Sequence, residues 1–533
     1  MRNGSRKSGS DTFFSFLRKR CLTPIFALCL VGGLAGCAVN PVTGETELAL
    51  VSTAQEVQIG EQQYGPGRQM FGGDYVADPE LSRYVAGVGA RLAAVSDREL
   101  PYEFTVINDS TPNAWALPGG KIAVHRGLLT EIGSEAELSA VLGHEIVHAA
   151  ARHGAQAMQR GMLLQGAYVA AAVTANQSDY GPLLMTATGL GLQLINQKYG
   201  RDAERESDRY GMRYMSRAGY DPSAAVDLQE TFLRLADQRE PSWLEGLFAS
   251  HPPSAERVAN NRATLVDLEP GGELGEVRYR AATRRLIATR EAYAAHDRGR
   301  KALAAGDAAT ALAEAETALA GEPAEAQFHA LRGDVRSAQG RWGDALVNYK
   351  RAVDRNPGYF YPTMRRGLVH RELGKTGAAI ADLERSIELL PTAPAMNALG
   401  EIKLAAGEQA RAAELFRAAS RSDSPDGRAA SRSLMRLELP EKPYLYVKSV
   451  MGQDAAGRLA VELQNATDFD IRVQELSFQY RDANGQVRTV SRNLKATVEA
   501  GSAARLRVDP RKVGGVTDPR NLRAAVTRAR ILK

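Results

Sequence analysis

Cysteine is scarce in this sequence of 533 residues, and none occurs after residue 37. The three cysteines are Cys21, Cys29 and Cys37. A framework of disulfide bonds is therefore excluded, and the folded part of the chain must depend on its own apolar cores. With 44% apolar and 24% charged residues, the composition also excludes a disordered or collagen-like chain and is enough for about three globular domains.

Excess positive charge is also missing from most of the chain. The formal net charge is +5, but residues 1–36 alone carry six basic residues against Asp11. The rest is therefore close to neutral, and we expect no nucleic acid among the partners. Residues 492–533 depart from this balance, with eleven basic and three acidic residues. For them we favour a solvated charged face over an anionic partner or a lipid headgroup.

Long apolar runs are absent as well. Near the N-terminus the stretch Cys21–Leu34 follows an Arg-Lys-Arg run and is shorter than a bilayer span. It ends at Leu-Ala-Gly-Cys37, which resembles a bacterial lipobox. Residues 1–36 are therefore predicted to be a lipoprotein signal peptide, with Cys37 as the lipidation site that tethers the protein to a membrane. A plain signal peptide or a short anchor is the alternative. Ala38 after the cysteine implies, by the same resemblance, the outer membrane and a periplasm-facing protein.

The sequence after the leader divides into three regions. Residues 37–285 show mainly helical periodicity, residues 290–427 are alanine-rich and helical, and residues 440–533 alternate in the manner of strands. We expect an α-rich multidomain protein whose first domain is mainly helical with a small sheet and whose last is an all-β, sandwich-like domain. Its first strand is expected at Tyr444–Val447. The run Asp482-Ala483-Asn484-Gly485 predicts a tight hairpin, since Asn-Gly supplies positive φ angles.

The middle region repeats with a period of 34 residues, marked by Pro323, Pro357, Pro391 and Pro425. A glycine series keeps nearly the same step, at Gly299, Gly333, Gly367 and Gly400. Small residues at such points let paired helices approach closely, and each proline ends a helix. The pattern resembles four tetratricopeptide repeats, an α-solenoid whose concave surface takes a protein partner. A spacer between membrane and first domain is the alternative interpretation.

The candidate chemistry is concentrated in Gly143-His144-Glu145-Ile146-Val147-His148. Ser134 and the glutamate three residues later have the spacing of a capping box, which predicts a helix from Ser134 past His148. His144 and His148 then project from one face and can share a metal ion. Glu145 flanks that face and is placed to take a proton from water that the metal activates.

An acidic run supplies a candidate third ligand. Residues 202–211 belong to a second helical pattern that ends near Gly219. Glu204 and Asp208 are four residues apart and share a face, so that Glu204 can complete a site of two histidines, one glutamate and an open position, as hydrolytic zinc needs. Asp208 is then placed to accept the far N–H of one imidazole. A solvated acidic face paired with nearby arginines is the alternative.

Four motifs occur in the order found in the HtpX/BepA-type zinc metallopeptidases, which the segment from Asn40 to about Arg257 resembles. They are Asn113 to Gly120, His144 to His148, Glu204 to Gly211, and Ser250-His251-Pro252-Pro253. The leader and the repeats resemble the envelope, BepA-like branch. The resemblance implies one zinc ion per chain, bound by His144, His148 and Glu204, with Glu145 as general base and Asp208 orienting a ligand.

The resemblance also implies where substrate lies. The segment that contains Asn113, Ala114, Trp115, Gly119 and Gly120, continuing through Lys121–Val124, is expected to lead into an edge strand along which an extended substrate pairs. Backbone pairing of this kind suits unfolded or misassembled chains. The C-terminal β-domain is not part of the family's pattern.

Three roles are open for His251, which lies in a turn stiffened by Pro252 and Pro253. It can return to the zinc and latch the enzyme, polarise the scissile carbonyl, or pack as a loop residue on the helix that carries Arg257. His153 lies about 140° round the helix from His148 and is expected outside the ligand set.

Two further apolar stretches, residues 161–175 and 181–195, are too short to span a membrane. We favour core helices for them over a hairpin that faces lipid or substrate.

The expected function is a membrane-anchored zinc metalloendopeptidase that degrades misfolded or misassembled cell-envelope proteins, with repeats that dock partners or substrates. A periplasmic assembly chaperone or scaffold with a latched or little-used zinc site is the main alternative, and a peptidoglycan or lipid hydrolase is a third. Glu145 favours the enzyme, because a purely structural site does not need a carboxylate beside an open zinc position.

Overall fold

A computed structural model describes residues 37–162, 195, 198–238, 251–482 and 484–532. These residues divide into two compact units, one ending at Pro362 and one beginning at Thr363. The predicted leader, Ser250 and most of the two apolar stretches lie outside the described residues. Among the described helices, none is long and apolar enough to cross a bilayer.

The first unit packs helices against a small sheet. Its elements before the repeats are β1 (Cys37–Val39), β2 (Thr46–Leu48), α1 (Thr53–Met70), α2 (Pro79–Ala93), β3 (Glu103–Ile107), β4 (Ala114–Leu117), β5 (Lys121–His125), α3 (Arg126–Leu129), α4 (Glu135–Ala150), α5 (Arg201–Arg217), α6 (Ala224–Gln238), α7 (Ala255–Val266) and α8 (Glu276–Ala288). Side chains of α2, α4, α5, α6 and α8 share one hydrophobic core with the sheet.

The sheet has the strand order β3-β5-β4, with β3 parallel and β4 antiparallel to β5. Gly119 and Gly120 form the turn between β4 and β5, at φ angles of +81° and +87° that favour glycine. Lys121–Val124, which the sequence placed toward an edge, therefore lies in the central strand, because β5 pairs on both sides. Among the described strands, β4 is an edge strand of this sheet.

Helix α4 carries the histidine motif and is buried along almost its whole length. It begins where the sequence predicts, because Ser134 Oγ accepts a hydrogen bond from the Glu137 amide (3.0 Å). Helix α5 packs on α4 at two glycines. A Cβ added to Gly211 would lie 3.0 Å from the backbone nitrogen of His144, and one added to Gly143 would lie 3.1 Å from the carbonyl oxygen of Gly211. This close approach brings the acidic face of α5 next to the histidine face of α4.

Hydrogen bonds and ion pairs from other segments hold the C-terminal end of α4. Asn40 donates to the Ala151 carbonyl oxygen (3.2 Å), and Arg98 donates to that of Ala149 (3.1 Å). The fully buried carboxylate of Glu56 on α1 binds the guanidinium groups of both Arg98 (2.9 Å) and Arg152 (2.8 Å). The bonds from Asn40 and Arg98 satisfy carbonyl groups that the end of a helix leaves without partners.

The repeats form the predicted helix pairs, in an α-rich multidomain architecture. The helices are α9 (Arg290–Ala304), α10 (Ala308–Gly321), α11 (Ala326–Ala338), α12 (Trp342–Arg355), α13 (Phe360–Glu372), α14 (Thr376–Leu389), α15 (Ala393–Ala405), α16 (Gln409–Ala419) and α17 (Pro425–Glu438). A Cβ on Gly333 would lie 2.7 Å from the ring of Tyr349, so this glycine is a point of close helix approach, as the repeat pattern predicts.

The last region is a β-sandwich, as the sequence predicts. Its strands are β6 (Val447–Gln453), β7 (Leu459–Asn465), β8 (Ile471–Arg481), β9 (Val487–Val498), β10 (Ala503–Arg507) and β11 (Leu522–Ile531). They form two antiparallel sheets, β10-β7-β6 and β11-β8-β9, whose inner faces share one apolar core.

Of two local predictions in the sandwich, the hairpin between β8 and β9 is confirmed and the first strand is wrong. The predicted hairpin joins β8 to β9, and Gly485 in its turn has φ +75°. The expected strand at Tyr444–Val447 is wrong for most of its length. Residues Pro443–Leu445 form a 3-10 turn and β6 begins only at Val447, because Pro443 has a fixed φ angle and no N–H to donate.

Candidate metal centre

Four buried side chains from three elements converge beside α4. His144 and His148 lie one turn apart on α4, Glu204 lies in the first turn of α5, and His251 precedes α7. One ligand atom from each residue lies within 4.8 Å of all the others. The structure thus brings together the three residues that the sequence grouped as ligands, and it adds His251 to them.

The ligand atoms face one another at short distances. His144 Nε2 lies 3.0 Å from His148 Nε2 and 3.2 Å from His251 Nδ1. Glu204 Oε1 lies 2.9 Å from His251 Nδ1 and 3.5 Å from His148 Nε2. Imidazole nitrogens and a carboxylate in one buried group form a donor set that suits zinc.

The other nitrogen of each α4 imidazole is already engaged. His144 Nδ1 lies 2.9 Å from Asp208 Oδ1, and His148 Nδ1 lies 2.9 Å from His153 Nδ1. Because these outer contacts orient the rings, the Nε2 lone pairs can point at a common centre. Burial lowers the pKa of His148 well below its ordinary value, which favours the neutral imidazole that binds metals. The residues present therefore fit a zinc ion.

Asp208 is held by an arginine on a third helix. Arg257 Nε and Nη2 donate to its two carboxylate oxygens at 2.8 and 2.6 Å. Burial alone would raise the pKa of Asp208, but the Arg257 guanidinium holds that pKa below its ordinary value. An ionised Asp208 can accept the Nδ1–H of His144. Arg257 Nη1 also lies 3.2 Å from Glu204 Oε2 and donates to the His251 carbonyl oxygen at 3.4 Å.

His153 lies outside the ligand group, as the helical geometry predicts. It contacts the ring nitrogen of His148 that faces away from the ligand group. Its Nε2 lies 3.4 Å from Glu206 Oε1, so that a line of contacts runs from Glu206 through His153 to His148. The ring of Tyr199 stacks on that of His148, with 4.0 Å between the ring centres.

Glu145 lies beside the ligand group rather than in it. Its side chain is 2% exposed, and its Oε1 lies 3.7 Å from His251 Nε2. Its Oε2 has no hydrogen-bond partner among the residues that the structure describes. Burial raises the pKa of this carboxyl group. A buried carboxylate oxygen without a partner is unusual and has room to accept a proton from a bound molecule.

A small cavity of about 30 Å³ borders the centre on the side of His144, Glu145 and His251. Its remaining lining is largely apolar and includes Met212 and Phe232. A space of this size holds about one water molecule and excludes a peptide.

The predicted substrate segment lies on the sheet. Ala114 and Trp115 belong to β4, Asn113 precedes that strand, and Gly119 and Gly120 form the turn after it. The Trp115 indole donates to His125 Nε2 (3.3 Å) from a buried position. Cys37, the predicted lipidation site, is the first residue of β1.

Sequence reasoning missed three residues of the centre: Arg257, Glu206 and Tyr199. A signal existed for Arg257. Ser254 accepts from the Arg257 amide (3.2 Å) as the N-cap of α7, which places Arg257 in the first turn of a helix directly after His251. The sequence offers no comparable signal for Tyr199 or Glu206, since their contacts with His148 and His153 join different helices or loops.

Comparison with known proteins agrees with this geometry. The profile of peptidase family M48 matches residues 79–265, which include His144, His148 and Glu204. The tetratricopeptide repeat profile matches residues 296–360, 332–394 and 364–427.

Curated relatives match parts of the chain. The beta-barrel assembly-enhancing protease of Escherichia coli is 29% identical over 271 residues, which are 48% of this chain and 54% of that protein. The mitochondrial metalloendopeptidase OMA1 of Schizosaccharomyces pombe is 38% identical over 178 residues, 33% of this chain and 50% of that protein. The chain thus spans about half the length of these relatives. The metalloprotease YcaL of Escherichia coli is 32% identical over 203 residues, 36% of this chain and 74% of that protein. The chain therefore belongs to peptidase family M48 and carries a metalloprotease domain of that family.

Proposed function

We propose that the chain is a zinc metalloendopeptidase of the cell envelope, tethered to the outer membrane through a lipid on Cys37 and facing the periplasm. It degrades misfolded or misassembled envelope proteins, and its repeats dock partners or substrates. The observation that carries this proposal is the convergence of His144, His148 and Glu204 beside the unpartnered carboxylate oxygen of Glu145.

His144, His148 and Glu204 hold one zinc ion in this proposal. A bound zinc ion supplies a Lewis acid that activates water and polarises a peptide carbonyl. Asp208 positions His144 by accepting its Nδ1–H, and Arg257 keeps Asp208 ionised. The geometry of both imidazoles is then set before any substrate arrives, which is the condition for efficient catalysis.

Glu145 is the general base. Its Oε2 accepts the proton of the attacking water and returns it to the leaving amine, so that the carboxylate is restored after each turnover. The position next to His144 in sequence keeps Glu145 beside the ligands, while its side chain stays outside the ligand group.

His251 is a latch in this proposal. Its Nδ1 lies 2.9 Å from Glu204 Oε1 and 3.2 Å from His144 Nε2, among the atoms that would bind zinc. With His251 in this place, about 30 Å³ of space remains beside Glu145, too little for a peptide. Substrate therefore requires His251 to withdraw.

Extended substrate pairs with β4, the edge strand that Gly119 and Gly120 turn back from the central strand. Addition of a strand uses backbone hydrogen bonds and therefore accepts many sequences, provided that the segment is unfolded. This favours misfolded or misassembled chains as substrates. The assembly role named for the Escherichia coli relative is consistent with such substrates.

The repeats supply a docking place close to the peptidase domain. A cavity of about 610 Å³ lies within the first unit, between the loop after β3 on one side and α9, α11 and the segment with Tyr359 and Tyr361 on the other. Asn108, Thr111 and Arg126 line it from the sheet side, and Tyr293 and Tyr359 line it from the repeats. A cavity of this size, with aromatic and charged walls, has room for several residues of a partner.

The test measures zinc content and cleavage of an unfolded model protein by the chain from Ala38 onward, with and without chelator. Wild type is compared with Glu145→Gln and His251→Ala. We expect one zinc per chain in all three, cleavage that is lost in Glu145→Gln and in chelator, and faster cleavage in His251→Ala. A decrease in His251→Ala would instead assign His251 to polarising the carbonyl.

A second candidate function is favoured by the closed state of the site, in which His251 occupies a ligand position. It is an assembly chaperone or scaffold whose zinc site is latched or little used. If all three proteins bind zinc and none cleaves any unfolded protein, this function replaces the peptidase.

A further inference from the structure

The outer face of the β11-β8-β9 sheet carries six basic side chains in one array. The cationic sheet face consists of Arg472, Arg481, Lys495, Arg523, Arg528 and Arg530. Val473, Leu522 and Ala529, which are next to Arg472, Arg523, Arg528 and Arg530 along the strands, point into the core of the sandwich. Because side chains alternate along a strand, the six basic residues point away from that core.

The register of the sheet groups these residues across strands. In the register of β11 with β8, the backbone of Arg530 lies opposite Arg472, that of Arg528 opposite Glu475, and that of Arg523 opposite Gln479. From Arg523 to Arg530 the array extends about 23 Å along β11, at roughly 3.3 Å per residue. The positive charge is therefore spread along the sheet face rather than gathered at one point.

These side chains lack acidic partners. Within the part of the chain that the structure describes, no carboxylate oxygen lies within 4.0 Å of any of the six. Glu475 lies on the same face, but its Oε2 accepts a hydrogen bond from Thr527 (3.0 Å). Like charges on neighbouring strands repel one another, so this arrangement costs stability unless an external anion neutralises it.

Other arginines of the same sandwich are neutralised. Arg458 pairs with Asp454 and Arg488 with Asp482, each at 2.8 Å, and Arg505 pairs with Glu462. Lack of partners is therefore a property of the cationic sheet face and not of the whole domain. The sequence favoured solvated charge for residues 492–533; the structure separates paired arginines from an unpaired array.

The character of the face indicates what it binds. Between the basic residues stand short polar side chains, among them Ser477, Thr489, Ser491 and Asn493. The two large aromatic residues of β8, Phe478 and Tyr480, belong to the core side. Faces that bind single-stranded nucleic acid stack bases on aromatic rings, and this face offers none in its described strands. Basic side chains spread over three strands can each meet a different phosphate group of a lipid surface.

We propose that the cationic sheet face docks the protein on an anionic lipid surface by contacting headgroup phosphates. Each basic residue near such a surface strengthens binding about fivefold. Together with a lipid on Cys37, the face supplies a second, electrostatic attachment to the membrane surface. The inference uses the envelope location in the proposed function but not the peptidase activity.

The test measures sedimentation of the chain from Ala38 to Lys533 with lipid vesicles. Vesicles of phosphatidylglycerol mixed with phosphatidylcholine are compared with vesicles of phosphatidylcholine alone, and oligothymidylate serves as a second polyanion. The face variant combines Arg523→Gln, Arg528→Gln and Arg530→Gln. The matched control combines Arg458→Gln, Arg488→Gln and Arg505→Gln, which removes the same charge from paired positions.

We expect binding to the anionic vesicles only, weakened by salt. The face variant should bind about a hundredfold more weakly, since three residues are lost, and the control should bind like wild type. Equal loss in the control, absence of binding by wild type, or tighter binding to oligothymidylate would each overturn the proposal. If the face variant fails to fold, Ser477→Glu with Ser491→Glu is used instead and must weaken binding likewise. No substrate is present, so a failure of the peptidase proposal leaves this result unchanged.

Discussion

Arg257 binds Asp208 through two of its guanidinium nitrogens, with Nε 2.8 Å from Oδ2 and Nη2 2.6 Å from Oδ1. Both side chains are more than nine-tenths buried. Asp208 in turn contacts His144, and Arg257 donates to the carbonyl of His251. One ion pair therefore joins three helices and the loop that carries His251.

Removal of Arg257 should damage both the fold and the metal centre. In Arg257→Ala the buried Asp208 loses its counter-ion, and we expect a loss of about 3–5 kcal/mol in the free energy of unfolding. Zinc affinity should fall about 10- to 100-fold, because Asp208 no longer orients His144. Denaturant unfolding and zinc titration measure the two effects. The control is Arg262→Ala on the same helix, whose exposed pair with Glu230 is worth about 1 kcal/mol or less. Equal effects in both variants would contradict this role.

The contact between α4 and α5 should not tolerate a methyl group at Gly211. A Cβ there would lie 3.0 Å from the backbone nitrogen of His144. Gly211→Ala should therefore lower the free energy of unfolding by about 1–3 kcal/mol and shift Glu204 away from the histidines. Thermal unfolding and zinc content measure this change. Gly87→Ala on α2 is the control, since its Cβ meets nothing within 4 Å; it should stabilise the protein by about 0.5–1 kcal/mol. A neutral Gly211→Ala would disprove the close packing.

Metal removal should separate binding from catalysis. A ligand that binds only the folded state stabilises it, by about 2.7 kcal/mol when free zinc is a hundred times its Kd. We therefore expect chelator to lower the melting temperature of wild type and of Glu145→Gln alike. His148→Ala should melt at the same temperature with and without chelator. A chelator effect that vanished in Glu145→Gln would place Glu145 among the ligands.

Loss of the contact between His153 and His148 should lower the affinity for zinc. The Nδ1 of His153 lies 2.9 Å from that of His148, so His153→Ala leaves this ligand free to turn. Zinc affinity should fall about tenfold, as is typical when an outer partner of a ligand is lost. His329→Ala is the control, because this buried histidine contacts the Pro323 carbonyl and not the metal centre. An unchanged affinity in His153→Ala would show that the contact does not orient His148.

Local sequence spacing determined much of the fold. Ser134 begins α4, and four residues separate His144 from His148, so both rings leave the same face of one helix. The 34-residue period predicted the helix pairs for the same reason, since the repeated glycines Gly333 and Gly400 both stand where neighbouring helices touch. The strand expected at Tyr444 failed because the preceding proline favours a turn.

What only the tertiary structure decided concerns residues that are distant in sequence and meet through packing. The approach of α5 to α4 at Gly143 and Gly211 carries Glu204 to the histidines, and the position of α7 carries His251 and Arg257 to the same place. Whether a basic residue finds a carboxylate is decided in the same way, by which strands and helices lie side by side. A helix or strand period says which face a residue occupies. It says nothing of the element that packs against that face, because this depends on the core of the whole domain.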